Sequence, residues 1–194
     1  MEKKLILVTA PPACGKTYVS EALAEALGNA VLLDKDDLAP LIRAGFAVAG
    51  EEMDYDGAFY RDNLRPAEYE TLLHLAFSTL RFEKYVLLAA PFGRELRRAP
   101  LIAQWRERAN AMGAELVLIW VDVPVAVRYE RMKSRSSDRD TKKLEHWEEY
   151  AATVCDEAPL GLKDAVDRWI LLDNKDGESF ERCLQETVSK LTEA

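Results

Sequence analysis

The chain has 194 residues, with 26 basic and 34 acidic side chains and a formal net charge of −8. This length is typical of one domain, and the acidic balance argues against partners that attract excess Lys and Arg, namely nucleic-acid backbones and anionic membranes. Three cysteines and two histidines are too few and too scattered for a disulfide framework or a zinc site. Because no apolar run approaches the length of a membrane span, we expect a single cytoplasmic domain over residues 1–194.

Apolar runs of strand length alternate with amphipathic stretches of helix length along the chain. Strands are predicted, in chain order, at Lys4–Thr9, Ala30–Leu33, Tyr85–Ala90, Glu115–Val121 and Trp169–Leu172. Helices are predicted at Lys16–Leu27, Asp36–Ile42, Pro66–Phe82, Pro100–Met112, Val125–Lys133, Leu144–Val154 and Glu178–Leu191. This alternation predicts an α/β fold with a parallel sheet covered by helices on both faces. Two segments interrupt the rhythm, Gly45–Arg65 and Arg135–Lys143, and ligand sites in open α/β sheets gather at such excursions.

The first predicted strand runs directly into Ala10-Pro11-Pro12-Ala13-Cys14-Gly15-Lys16-Thr17, and a helix follows. This is the spacing of a Walker A phosphate loop, with alanine at the first glycine position. Such a loop directs backbone N–H groups at a phosphate, at a helix N-terminus whose dipole favours anions. The predicted nucleotide contacts are Ala13, Cys14, Gly15, Lys16, Thr17 and Tyr18. Lys16 would reach the β- and γ-phosphates and the Thr17 hydroxyl would ligate Mg²⁺, whereas Cys14 is either a small packing residue or a redox-sensitive thiol.

Three aspartates follow the second predicted strand in Asp34-Lys35-Asp36-Asp37. In a compact α/β kinase this position faces the phosphate loop, so a carboxylate here can accept the proton of an attacking hydroxyl. Aspartate is also favoured as a helix cap, but three aspartates exceed what a cap needs. Asp36 is therefore the candidate general base, and Asp34 joins Thr17 as a candidate Mg²⁺ ligand.

Four arginines recur at three- and four-residue spacing, which places them on one helix face: Arg128, Arg131, Arg135 and Arg139. An arginine stripe that meets a polar segment suits a lid that closes over a transferred phosphoryl group. The alternative is a solvated face paired with Glu130 and Asp138. The phosphate loop upstream favours the lid, with Arg139 among the nucleotide contacts.

These blocks resemble the P-loop kinases grouped around the 5′-hydroxyl polynucleotide kinase of bacteriophage, zeta toxins and chloramphenicol phosphotransferase. The resemblance is carried by the loop Ala10–Thr17, by Asp36-Asp37, and by Val121-Asp122-Val123-Pro124 leading through Arg131 to Arg135. It implies a five-stranded parallel sheet in the order 2-3-1-4-5 and a lid at about 135–143. It also implies that Asp36 is the base, Arg135 the transition-state arginine and Arg131 a nucleotide contact.

One departure from that family concerns the carboxylate that usually ends the third strand. The corresponding segment, Leu87–Arg94, contains no acidic residue, so the Walker B aspartate is missing there. Asp122, at the end of the fourth predicted strand, either substitutes for it or caps the helix that Pro124 opens.

The sequence thus predicts an ATP- and Mg²⁺-dependent phosphotransferase, monomeric or homodimeric, that acts on a hydroxyl of a small-molecule acceptor. The alternatives are a 5′-hydroxyl polynucleotide kinase and a regulatory ATP-binding protein with slow hydrolysis. A GTPase is disfavoured because Asn174-Lys175-Asp176-Gly177 departs from Asn-Lys-x-Asp at its last position. The charge of the acceptor stays open. The aromatic and acidic segment Gly45–Arg65 suits a cationic or polyhydroxylated molecule unless its rings pack on their own helices, whereas Arg94, Arg97 and Arg98 suit an anion.

Overall fold

The computed structural model describes residues 2–135, 143–153 and 158–193. The strands are β1 (Lys3–Thr9), β2 (Ala30–Asp34), β3 (Tyr85–Ala89), β4 (Ala114–Asp122) and β5 (Arg168–Asp173). The helices are α1 (Lys16–Leu27), α2 (Ala39–Ala49), α3 (Arg65–Thr79), α4 (Ala99–Ala111), α5 (Val125–Arg135), α6 (Trp147–Thr153) and α7 (Gly177–Thr192). Shorter turns are 3₁₀-helical at Lys35–Leu38, Glu95–Arg97 and Leu160–Ala165 and π-helical at Tyr60–Leu64. None of the described helices combines the length and apolar character needed to cross a membrane.

The five strands form one sheet in the order β2-β3-β1-β4-β5, and every neighbouring pair is parallel. This confirms the predicted α/β fold and the strand order that the family resemblance implies. β1 is the central strand, with Leu7 paired to Leu88 on one side and to Leu118 on the other. Because all strands run the same way, the loops that follow them meet at one edge of the sheet.

The sheet is buried on both faces, and β1 shows this most clearly. Leu5 and Leu7 belong to the core beneath α3 and α4, whereas Ile6 and Val8 belong to the core beneath α1 and α7. All four side chains are fully buried. A strand covered on both faces needs apolar side chains on both sides, which is why β1 contains the uninterrupted apolar run Leu5-Ile6-Leu7-Val8.

The segment Gly45–Arg65 is more helical than predicted. α2 continues through Gly45 to Ala49, and the π-helical turn leads straight into α3, so that 51–57 lies outside helices. A Cβ at Gly45 would lie 2.8 Å from Leu64 Cδ2, so a larger residue inside α2 would require the end of the Leu64 side chain to move.

The aromatic rings of this segment pack on one another. Phe46 and Tyr60 are buried with ring centroids 6.4 Å apart, and Tyr55 and Phe59 lie against Phe46 at 6.0 and 5.6 Å. Of the two interpretations of this segment, the structure therefore favours packing of the rings on their own helices, where they form a small separate core.

Candidate functional site

The loop between β1 and α1 has the backbone conformation expected of a phosphate cradle. Ala13 and Gly15 both have positive φ, 64° and 78°, in the left-handed region. Gly15 is the N-cap residue of α1, and no side chain caps that helix end within the described residues. The first N–H groups of α1 therefore face the loop without a side-chain acceptor, which suits an anion.

Side chains distant in sequence hold the loop from behind. Asn174, which follows β5, donates its Nδ2 to the carbonyl of Cys14 at 2.8 Å. Arg128 of α5 donates its Nε to the carbonyl of Pro12 at 3.2 Å. Both Asn174 and Cys14 are buried, so Cys14 packs as a small core residue. The loop is thus supported by hydrogen bonds from two later elements of the chain.

The structure corrects the interpretation of the arginine stripe on α5. Arg128 is 1% exposed and lies against the phosphate loop, so it belongs neither to a lid surface nor to a solvated face. Arg131 donates to the carbonyl of Asn174 at 2.7 Å and thereby lies beside the loop after β5. Arg135 is the exposed last residue of α5. Arg139 and most of the predicted lid lie outside the described residues.

Asp34, the last residue of β2, faces the start of α1. Its Oδ2 lies 3.5 Å from Lys16 Nζ and accepts a hydrogen bond from Thr17 Oγ1 at 3.3 Å. Its Oδ1 accepts from the backbone N–H of Asp36 at 3.0 Å, so one carboxylate both caps the 3₁₀ turn and meets the phosphate loop. The backbone carbonyl of Asp122, the other candidate for the missing carboxylate, accepts from the backbone N–H of Asn174. The carboxylate that contacts Thr17 is that of Asp34.

The donor set at this point fits a hard divalent cation. Mg²⁺ prefers oxygen ligands and usually takes only one or two from protein, with phosphates and water supplying the rest. The Thr17 hydroxyl and the Asp34 carboxylate are two such oxygens in contact with each other. In the part of the chain that the structure describes, no group of three or more His, Cys, Asp or Glu side chains could hold a metal by itself.

Asp36 lies next to this pair and is open to solvent. Its side chain is 60% exposed, and its Oδ1 is 3.2 Å from Lys35 Nζ. With Thr17, Asp34 and Asp37 it lines a cavity of about 290 Å³. A molecule in that cavity would therefore contact Asp36 and the start of α1 together.

A buried network links this turn to the helical segment that precedes α3. The Glu68 carboxylate, whose side chain is 1% exposed, accepts from Tyr60 Oη at 2.6 Å and lies 3.3 Å from Lys35 Nζ. Burial, together with the adjacent Glu68, raises the pKa of Tyr60 well above its ordinary value, so the phenol stays protonated and donates. Lys35 thus contacts Glu68 on one side and Asp36 on the other.

A second cavity, of about 370 Å³, lies on the other side of the phosphate loop. Gly15, Tyr18, Arg131, Asn174, Asp176, Gly177 and Phe180 line it. The rings of Tyr18 and Phe180 are 4.8 Å apart at one wall. Asp176 caps α7 by accepting from the Ser179 N–H at 2.8 Å, and this hydrogen bonding lowers the pKa of the carboxyl. Sequence patterns missed three residues of this candidate site: Asn174, Asp176 and Phe180. All three lie at or near the start of α7, shortly after the carboxyl end of β5.

Gly15 offers a sharp test of the loop geometry. A Cβ at Gly15 would lie 2.7 Å from Asn174 Nδ2, so Gly15→Ala should push Asn174 off the Cys14 carbonyl and weaken nucleotide binding at least tenfold. The matched control is Gly50→Ala, because Gly50 has a similar φ of 70° and no atom within 4 Å of its Cβ position. Left-handed strain should cost each variant about 1–2 kcal/mol of stability, measured by thermal denaturation, and Gly15→Ala should lose more because it also disturbs the buried Asn174 hydrogen bond. Equal nucleotide affinity in the two variants would show that the Asn174 contact is irrelevant to binding.

Comparisons with known proteins place this geometry in context. Residues 5–156 match the AAA domain family. A gluconokinase from Sinorhizobium meliloti is 19% identical, with 98% of this chain and 94% of that chain covered and a TM-score of 0.57. The APS kinase CysC of Mycobacterium tuberculosis, in complex with AMPPNP and APS, is 19% identical over 99% of both chains, with a TM-score of 0.58. Kti12 of Chaetomium thermophilum, in complex with ADP-AlF3, is 17% identical over 98% of this chain and 100% of that chain, with a TM-score of 0.59.

A search of curated proteins finds no significant match. At these low identities the solved structures establish the fold, which this chain shares with P-loop kinases. The family match shows family membership as well, because it covers most of the chain and includes the phosphate loop, Asp34 and α5. The chain therefore belongs to the AAA domain family.

Proposed function

We propose that the protein is an ATP- and Mg²⁺-dependent phosphotransferase that moves the γ-phosphoryl group to a hydroxyl of a small molecule. One observation supports this most directly. Lys16, Thr17 and Asp34 meet within 3.5 Å at the phosphate loop, and Asp36 opens into the cavity that Thr17 and Asp34 line. Phosphate-binding groups and a solvent-accessible carboxylate are thus adjacent, as transfer to a bound hydroxyl requires.

The nucleotide would be held on both sides of the phosphate loop. The N–H groups at the start of α1 and the Lys16 ammonium would bind the β- and γ-phosphates. The adenine base of the nucleotide would bind in the cavity of about 370 Å³, whose walls include the planar Arg131 guanidinium and the rings of Tyr18 and Phe180. Loss of the Arg131 hydrogen bond to Asn174 would therefore weaken the binding of the adenine base and disturb the phosphate loop that Asn174 supports.

Thr17 and Asp34 are the residues that would hold Mg²⁺. The chemistry that Mg²⁺ would supply there is positive charge that offsets the charge of the nucleotide phosphates. Lys16 shares Asp34 with Thr17, so the three side chains form one charge-balanced group in which the ammonium is free to move to a phosphate when one binds.

Asp36 would act as the general base. Its carboxylate would take the proton of the acceptor hydroxyl as the oxygen attacks the γ-phosphorus and the bond to the bridging oxygen of ADP breaks. Arg131 and Arg135 on α5 would stabilise the charge that develops on the transferred group. An exposed carboxylate suits this role, because it has to reach a ligand that enters from solvent.

The kinase names of two structural neighbours agree with this function, and the acidic net charge of −8 favours a small acceptor over a polynucleotide. The test is Mg-ATP turnover by the purified protein with a panel of hydroxylated metabolites, antibiotics and nucleosides, and with a short 5′-hydroxyl oligonucleotide as a separate arm. We expect one small acceptor to stimulate turnover, with ADP and phosphorylated acceptor formed one to one, and EDTA to abolish it. Stimulation by the oligonucleotide alone would replace this function with polynucleotide phosphorylation. Tight ATP binding without any stimulation would indicate a regulatory nucleotide switch.

A further inference from the structure

A third cavity lies between α3 and α4, and one end of it is formed by Arg94 and Glu95, which follow β3. Its volume is about 670 Å³, larger than either cavity beside the loop, and it shares no lining residue with them. We call it the α3–α4 groove. It is lined by residues of α3, of α4 and of the segment between β3 and α4. Its size falls within the range of small-molecule sites, about 300–1,000 Å³.

The groove is positively charged in a protein that is acidic as a whole. Four arginines and two glutamates line it, whereas the chain carries a net charge of −8. One of those glutamates is already used, because Arg65 forms two hydrogen bonds to Glu95 at 2.8 and 2.9 Å. Glu70 is the one further carboxylate of the lining.

The remaining arginines of the lining are Arg94, Arg98 and Arg108, and none of them forms an ion pair with a described residue. Arg94 donates to the carbonyl of Arg61 at 3.3 Å, and the Arg108 guanidinium lies 3.9 Å from the centre of the Phe77 ring. A carbonyl and an aromatic ring orient a guanidinium without neutralising it. Arg94 also helps to lower the pKa of the Asp62 carboxyl, so its charge is partly compensated, whereas no acidic side chain pairs with Arg98 or Arg108 among the described residues.

The floor of the groove is apolar and firmly packed. Tyr69 and Trp105 are buried and both contact Phe92 edge-on, with ring centroids 5.7 and 6.0 Å apart. The Arg65 guanidinium lies over the Tyr69 ring at 4.0 Å. An apolar body could rest on this aromatic floor while an anionic group reached the arginines at the rim.

We propose that the α3–α4 groove binds a small phosphorylated organic molecule at a site separate from the phosphate loop. Arginine donates through a planar fork that matches phosphate oxygens, and several guanidiniums at one groove suit a dianion better than a monoanion. The aromatic floor adds contacts that inorganic phosphate cannot make. This inference stands on the groove alone and does not depend on the proposed phosphotransfer.

The test uses phenyl phosphate as probe and the indole N–H signal of Trp105 as readout, assigned with Trp105→Phe in a ¹H–¹⁵N spectrum. We expect a saturable shift with phenyl phosphate, weaker effects with inorganic phosphate and benzoate, and none with phenol. Arg94→Gln and Arg98→Gln should each weaken binding about tenfold, as loss of a hydrogen bond to a charged group predicts. Arg81→Gln is the matched control, because Arg81 is an exposed arginine just beyond α3 that lines none of these cavities.

Three results would overturn the proposal: no Trp105 shift at millimolar phenyl phosphate, equal affinity for benzoate, or equal affinity in the Arg98→Gln and Arg81→Gln proteins. Lys16→Ala separates this site from the phosphate loop. Because Lys16 lines no part of the groove, the Trp105 titration should be unchanged in that variant.

Discussion

Replacing Lys16 with alanine is expected to weaken Mg-ATP binding about 100-fold and to abolish turnover. The ammonium lies 3.5 Å from Asp34 Oδ2, at the start of α1, where a phosphate would approach the loop. A hydrogen bond to a charged group contributes about 1.5–3 kcal/mol, and the upper end of that range corresponds to about two orders of magnitude in affinity. The measurement is a nucleotide titration by calorimetry in the presence of Mg²⁺.

Lys84→Ala removes the same charge at a position that leaves the loop untouched. Lys84 is exposed and precedes β3, so it lies at the sheet edge opposite the phosphate loop. Its substitution should leave nucleotide affinity within about twofold, since exposed charges far from a site contribute little. Thermal denaturation of both variants shows whether the fold is intact. Unchanged affinity in Lys16→Ala would mean that the loop does not bind phosphate through this residue.

The features of the fold that the sequence predicts are those carried by local pattern. β1, β3 and β4 are buried on both faces, so each appears as a continuous apolar run, and its short length favours a strand over a helix. The helix that begins at Lys16 and ends before Gly28 is marked at both ends by glycine. The phosphate loop is likewise local, because its function depends on consecutive backbone N–H groups.

Local sequence patterns do not predict contacts between distant residues. Asn174 and Cys14 are 160 residues apart, and nothing near either residue indicates that they meet. The position of Asn174, directly after β5, was the available signal, because the carboxyl ends of parallel strands share one edge. Arg128 shows the same limit. Helical spacing indicates that Arg128 shares a face of α5 with Arg131, but it cannot show that Arg128 donates a hydrogen bond to the Pro12 carbonyl. The α3–α4 groove depends on how two helices pack across the sheet, which no local pattern encodes.

Replacing Asp36 with asparagine is expected to lower the rate of phosphoryl transfer by about 10²–10⁴-fold while leaving Mg-ATP affinity within about twofold. The amide has nearly the same shape as the carboxylate but cannot take the hydroxyl proton. The side chain is 60% exposed, and its described ion pair is to Lys35, which also contacts Glu68. Structural damage should therefore be small, and the loss should appear in kcat with the stimulating acceptor.

Asp37→Asn is the matched control for this variant. Asp37 is the next residue, is also exposed, and lines the same cavity of about 290 Å³, so the two substitutions change charge equally at nearly the same place. If kcat falls by the same factor in both variants, the loss reflects a change in local charge, and neither aspartate is identified as the general base. If nucleotide affinity collapses in Asp36→Asn, the carboxylate belongs to the metal and phosphate site with Asp34. A rate loss confined to Asp36→Asn, at unchanged affinity, is the result that general-base catalysis requires, because only the proton-accepting carboxylate is needed in the transition state and not in the ATP complex.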